Sequence, residues 1–112
     1  MAHDNAEQLS ARLGAIASTQ RLRILFMLST ERLHVSELAR RVGMSRALLY
    51  MHLTKLEEAG FVEGRLELGA DGKALKFFEA TEFEFTITLG TIAAAVALSP
   101  VDPAPTENRE LT

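Results

Sequence analysis

The stretch Ser36-Glu37-Leu38-Ala39-Arg40-Arg41-Val42-Gly43-Met44-Ser45-Arg46-Ala47-Leu48-Leu49-Tyr50-Met51-His52-Leu53-Thr54-Lys55-Leu56-Glu57-Glu58-Ala59-Gly60 decides the fold. Ser36 can cap a short helix over about Glu37 to Val42, with Leu38, Ala39 and Val42 turned inward. Gly43 ends that helix, because a helix terminus often needs the positive φ that glycine adopts without cost. Only Gly43 and Met44 precede a second cap, Ser45, which opens a longer helix from about Arg46 to Ala59, stopped by Gly60. Leu49, Leu53 and Leu56 form its inward stripe, with Leu48 and His52 at the border. Two helices joined by a tight glycine turn make a helix-turn-helix, whose second helix lies in the major groove of duplex DNA.

Upstream, the spacing of Leu9, Leu13, Ile16 and Ala17 predicts a helix from about Ala6 to Ala17, capped by Asp4 or Asn5. A second helix is expected from Gln20 to Thr30 with Thr19 as its cap and Leu22, Leu25, Phe26 and Leu28 as its apolar set. Its run Ile24 to Leu28 is apolar nearly all round, which places it centrally in the core. Leu33-His34-Val35 reads as a short extended link.

Downstream of Gly60 the period changes from helical to alternating. Val62, Leu66 and Leu68 alternate with Glu63, Arg65 and Glu67, the pattern of a strand over Phe61 to Leu68 with one buried face. Gly69-Ala70-Asp71-Gly72 is a turn, and a returning strand from about Lys73 to Thr81 completes a β-hairpin, the wing. Phe83, Phe85 and Ile87 alternate with Glu82, Glu84 and Thr86, which favours another strand, and Thr88 can cap a last helix from Leu89 to Leu98. The expected fold is mainly α with a β-hairpin wing (α+β): a winged helix-turn-helix with a three-helix core plus N- and C-terminal helices, over residues 1–98. The proline-punctuated residues 99–112 are expected to be a disordered tail.

The chain of 112 residues carries a formal charge of −3, which looks wrong for a partner of DNA until its distribution is examined. Gln20 to Lys55 holds seven cations against two acids, a net of +5, whereas Phe61 to Thr112 holds four cations against nine acids, a net of −5. That asymmetry suggests a basic face for a polyanion and an acidic remainder, with ordinary solvated charge as the alternative. No cysteine is present, so disulfides, thiolate metal sites and cysteine nucleophiles are excluded, and a reducing cytoplasm fits. The first residues do not read as a secretory signal, and the longest apolar stretch, Ile87 to Leu98, is shorter than the roughly 20 residues a membrane helix needs. No Gly-rich phosphate loop, nucleophile motif or convergent acid–base pair is visible, so no enzyme and no cofactor is expected. The three histidines lack metal-ligand spacing.

The candidate DNA-binding residues are Ser45, Arg46, Ala47, Tyr50, Met51, Thr54 and Lys55 on the longer helix, Arg40 and Arg41 on the shorter one, and Lys73 in the wing. Arg46 stands in the first turn, where groove contacts concentrate; it can read guanine in bidentate fashion or grip a phosphate. Tyr50 can donate to a phosphate or pack on a thymine methyl, Met51 offers apolar contact, and Thr54 and Lys55 suit the backbone. Arg40 and Arg41 can contact phosphates, or one can pair with Glu37 three or four residues away. His52 reads as a border residue that bonds a neighbour or supports the helix, ahead of the alternative of a base contact, and one of Arg21 and Arg23 as a structural arginine. The acidic balance and weakly basic wing leave one alternative, a protein–protein adaptor that never touches DNA.

Gln20-Arg21-Leu22-Arg23-Ile24-Leu25, Val35-Ser36-Glu37-Leu38-Ala39, Met44-Ser45-Arg46 and His52-Leu53-Thr54-Lys55-Leu56-Glu57-Glu58-Ala59-Gly60-Phe61-Val62 together resemble the arsenic-repressor (ArsR-like) winged-helix regulators. The resemblance spans about Thr19 to Thr81. It implies a homodimer formed by the first and last helices, with paired recognition helices on a roughly palindromic DNA site and regulation of transcription. A cleft between the terminal helices of such a dimer is a place for an unidentified small apolar effector. Metal-sensing members use cysteine sites on the third helix or carboxylate and histidine ligands on the last; this chain has neither set, so the resemblance does not extend to metal sensing.

Overall fold

The computed structural model describes residues 3–100. The elements are α1 (Ala6–Ile16), α2 (Thr19–Thr30), β1 (Leu33–His34), α3 (Val35–Val42), α4 (Arg46–Glu58), β2 (Val62–Leu68), β3 (Ala74–Ala80) and α5 (Leu89–Leu98). They make a winged helix-turn-helix with helices at both ends. The chain divides into two compact units, Ala11–Phe85 and the pairing of Met1–Ser10 with Thr86–Thr112.

In the larger unit the core gathers Ile24, Leu25 and Leu28 from α2, Leu33, Val35, Leu38 and Ala39, Leu49, Leu53 and Leu56 from α4, and Phe61, Val62 and Phe78 at the base of the hairpin. α2 begins one residue earlier than expected. Its cap is Ser18 rather than Thr19, and the Ser18 hydroxyl accepts the Arg21 amide at 3.2 Å. Its apolar run is not buried all round. Ile24, Leu25 and Leu28 fall on one face at helical spacing, while Leu22 and Phe26 lie on another face and are exposed.

The Leu33-His34 link is a strand. It pairs antiparallel with β3 in the register Leu33 to Phe78 and His34 to Phe77, giving a three-stranded sheet in the order β1-β3-β2. α3 therefore starts at Val35, with His34 at the cap position and no side-chain cap bond, so Ser36 lies inside the helix instead of capping it. Gly43 has φ 73°, and its amide and that of Met44 both donate to the Ala39 carbonyl, at 2.9 and 3.1 Å. That double closure lets the chain reverse in two residues. Ser45 then caps α4 by accepting the Leu48 amide at 3.1 Å. At the far end Gly60 (φ 84°) donates to the Glu57 carbonyl and Phe61 to the Leu56 carbonyl. These are the two bonds of a Schellman motif, and both Leu56 and Phe61 are fully buried beside it.

β2 and β3 pair from Val62–Ala80 out to Leu68–Ala74. Only the base of this hairpin is buried. Leu66 and Leu68, expected on a buried face, are 71% and 79% exposed, because the hairpin projects beyond the helices that could cover them. At the base, Gly64 faces Phe78 in the register, and a Cβ there would come within 2.7 Å of the Phe78 ring and of the Lys76 chain. Residues 82–87 form no strand. Their alternation instead places Phe83 and Phe85 against Phe61, with ring centroids at 4.6 and 5.8 Å.

In the smaller unit Asn5 and Gln8 cap α1 reciprocally, each side chain accepting the other's amide at 2.9 Å. Thr88 caps α5 in a capping box with Thr91. The Ser99 hydroxyl accepts the Ala6 amide at 2.9 Å and donates to the Ala95 carbonyl at 3.2 Å. Of the expected tail, residues 101–112 lie outside the described residues. Among the described residues no helix is long and apolar enough to cross a membrane.

The reversal at Gly43 gives a direct test. Gly43→Ala forces a Cβ into the left-handed region and lowers folding stability by about 1–2 kcal/mol in urea titration. Gly43→Asn loses less, since asparagine tolerates that region better.

Candidate nucleic-acid interface

α4 is held from one side only. Leu49, Leu53 and Leu56 are at most 1% exposed, whereas Ser45, Arg46, Ala47, Tyr50, Met51, Thr54 and Lys55 are all exposed. The seven residues singled out from the helical spacing therefore share one open surface on one rigid element. Leu48, read as a border residue, also belongs to the open surface of the first turn. Arg46 reaches back to α3, where its Nη1 donates to the Ser36 hydroxyl at 3.5 Å. The first turns of the two helices thus stand side by side.

Arg40 and Arg41 are exposed but engaged. Arg40 Nε donates to Glu37 Oε1 at 3.1 Å, and its Nη2 bonds Glu37 Oε2. Arg41 Nε donates to the same Oε2 at 2.8 Å, and its Nη1 to Glu31 at 2.7 Å. Bonds from Arg40 and then from Arg41 pull the Glu37 carboxyl down to about 2. The same pairing, with Glu37 foremost and Glu31 next, raises Arg41.

The wing carries little unbalanced positive charge. Arg32 makes a two-pronged bond to Glu67, and its guanidinium lies 4.6 Å from the centre of the Phe77 ring. That bond raises the Arg32 pKa and lowers that of Glu67. Arg65 lies 3.5 Å from Glu63, and the Lys76 ammonium sits 5.2 Å from the centre of the Phe78 ring. Lys73 occupies the exposed turn, away from α4 in the chain, and its side chain has no hydrogen bond or ion pair among the described residues. No group of three or more His, Asp or Glu residues that could hold a metal occurs among the described residues.

His52 is the polar residue on the inner margin of α4. Its Nδ1 lies 3.0 Å from Arg21 Nη1. A guanidinium is always a donor, so Nδ1 accepts and the ring proton sits on Nε2, which is buried without a partner. Arg21 in turn donates from Nε to the Ala15 carbonyl at 2.6 Å and from Nη2 toward Gly14 at 3.5 Å, closing the end of α1. Arg21 is the structural arginine of its pair. Arg23 is exposed and makes no ion pair among the described residues. The sequence offered no signal for the Arg21–His52 contact beyond the two residue types, since 31 positions separate them.

Burial first, and then the charges of Arg21 and Lys55, lower the His52 pKa below its ordinary 6.5. The unfolded chain therefore binds the extra proton more readily than the folded one. Stability is full above pH 6.5 and falls as the pH is lowered through that value. The Glu37 contribution is lost only below its ordinary 4.5, so it does not overlap that window. His52→Gln keeps an acceptor for Arg21 and flattens the loss between about pH 6.5 and 5 in urea titrations. An equal slope in the variant would remove His52 as its cause.

Comparison with known proteins agrees with this geometry. Residues 18–64 match the model of the family described as bacterial regulatory protein, arsR family. An HTH-type transcriptional regulator of Methanocaldococcus jannaschii is 37% identical over 73 residues, covering 65% of this chain and 76% of the relative. The crystal structure of NolR from Sinorhizobium fredii is 29% identical, with a TM-score of 0.59 over 83% of this chain and 82% of that one. The homodimeric winged helix-turn-helix DNA-binding domain of a Mycobacterium bovis protein is 25% identical, with a TM-score of 0.59 over 82% of this chain and 74% of that one. With the family model falling on the helix-turn-helix and the relative matched over three quarters of its length, the chain belongs to the arsR family of bacterial regulatory proteins, transcriptional regulators built on a winged helix-turn-helix.

Proposed function

We propose that this regulator binds double-stranded DNA with sequence specificity, as a homodimer, with α4 in the major groove. The observation that carries the reading is the two-sided character of α4: three leucines buried to 1% or less on one side, and seven exposed polar, small or reaching residues on the other. A groove reader needs that division, because the scaffold must hold the helix stiffly while its outer face meets base edges. Arg46 takes the base-reading or first-phosphate role, Tyr50 and Met51 make groove-wall contacts, and Ser45, Ala47, Thr54 and Lys55 border them. Arg40, Arg41 and Lys73 supply phosphate contacts at the margins.

The dimer reading draws on two supports. The Mycobacterium bovis neighbour is described as homodimeric. In this chain α5 leaves Leu89, Ile92 and Val96 exposed around the small run Ala93-Ala94-Ala95, the composition of a close-packing helix. Two copies would present two recognition helices to a roughly palindromic site. The place of action is the cytoplasm, alongside the DNA.

Selection from a randomised duplex library followed by fluorescence anisotropy tests the reading. Binding to the selected duplex weakens steeply with salt, as cations are released from phosphates. Arg46→Ala costs about 1–3 kcal/mol and relaxes preference at one base position in each half-site. Failure of the folded protein to bind any duplex at low salt would leave an adaptor role in its place.

A further inference from the structure

We propose that Glu37 acts as an acidic latch that holds Arg40 and Arg41 back from DNA phosphates and so limits the affinity of the interface. The inference rests on the DNA-binding reading above and concerns the regulation of that same surface. Its basis is one carboxylate shared by two arginines. Glu37 accepts from Arg40 through both oxygens and from Arg41 through Oε2, and Arg41 turns its remaining edge to Glu31. Two cations thus face two acids, and the cluster has no net charge. On the sequence these same arginines supply two of the seven cations of the basic segment.

The position of the latch makes this consequential. Glu37 follows Ser36, whose hydroxyl meets Arg46 of the recognition helix. The neutral cluster therefore lies on the same short helix whose Ser36 meets the first turn of α4, the turn beside which a phosphate would run. A phosphate that takes the Nε–Nη2 edge of Arg40 displaces both oxygens of Glu37, and one that takes Arg41 displaces its single bonds to Glu37 and Glu31; either meets the retained negative charge of Glu37 while doing so. Both effects weaken binding.

Acid does not open the latch. Bonds from Arg40 and Arg41 hold the Glu37 carboxyl down to about 2, so it stays ionised through the mildly acidic range. The competitor must be another anion, and the phosphate diester is the one the surface meets. Exposed ion pairs are individually weak, so the latch lowers affinity by a modest factor rather than abolishing binding, and that factor varies with salt.

The test compares wild type with Glu37→Gln, each also made with Arg40→Ala and Arg41→Ala together. Binding to the selected duplex is read by anisotropy from about 50 to 200 mM salt, with circular dichroism melts confirming the fold. Glu37→Gln is close to isosteric at a partly exposed side chain. The expected result is roughly threefold to tenfold tighter binding at about 100 mM salt, with the log–log salt slope steeper by about 0.9 for each further phosphate neutralised. That tightening disappears in the double-alanine background. Equal or weaker binding by Glu37→Gln overturns the latch and leaves the DNA-binding reading intact. So does a tightening that persists without the arginines, which marks a plain effect of net charge. Absence of binding by wild type and variant alike instead defeats the DNA-binding reading itself.

Discussion

The burial of Leu49, Leu53 and Leu56 beneath α4 is the constraint on which everything else in the larger unit depends. Each fully buried leucine contributes about 1.5–3 kcal/mol relative to exposure, so exposing this one stripe would cost an amount comparable with the roughly 5–15 kcal/mol net stability of a domain. It also fixes the rotation of the helix about its own axis. With the stripe packed into the cluster that holds Ile24, Leu38 and Phe61, the opposite side of α4 has only one orientation to offer. A helix that could roll by one residue would move every outward side chain by about 100°, and no fixed set of base contacts would survive that freedom. The Schellman closure at Gly60 strengthens the constraint, because it sends Phe61 directly back under Leu56.

Electrostatics on this scaffold are more restrained than composition suggests. Of the seven cations between Gln20 and Lys55, Arg21 closes α1 and bonds His52, Arg32 braces the wing through Glu67, and Arg40 and Arg41 share Glu37 and Glu31. Arg23, Arg46 and Lys55 remain without an ion pair among the described residues. The cations left without an ion pair among the described residues therefore stand on α4 and α2. The wing is built differently. Arg32 lies over the Phe77 ring and bonds Glu67, so this cation is already engaged within the sheet. On the proposed reading, contacts to DNA would centre on one helix.

What could be read from the sequence was what short-range chemistry determines. The Ser45 cap, the glycine reversal and the leucine stripe each depend on residues within one or two turns of one another, and each stands where the spacing placed it. The same holds for the open surface from Arg46 to Lys55. The misreadings share a different origin. Leu66 and Leu68 alternate as a half-buried strand does, but burial needs a covering element, and nothing in the local pattern says how far the hairpin outruns the helices. Leu33-His34 became a strand because Phe77 and Phe78, more than forty residues later, supply its ladder partners. That pairing pulled the start of α3 back to Val35 and freed Ser36 from capping, which is how its hydroxyl came to face Arg46. Phe83 and Phe85 carried the alternation of a strand, yet an aromatic cluster around Phe61 captured them first.

The Arg21–His52 contact shows why a polar residue is tolerated at the edge of so apolar a helix seat. Nδ1 is satisfied by a donor that cannot lose its proton, while Nε2 is left buried without a partner. A leucine at 52 would remove that unsatisfied group, but it would strand the Arg21 guanidinium beside α4 with one fewer acceptor. Arg21 is already committed to the carbonyls of Gly14 and Ala15, so its position is set by α1, and the imidazole is set by Arg21. One hydrogen-bonded chain thus runs from the end of α1 to the middle of the helix that faces outward. The leucines determine which side of α4 is presented. This chain adds a directional tie between the end of α1 and α4 to the close packing of the leucines.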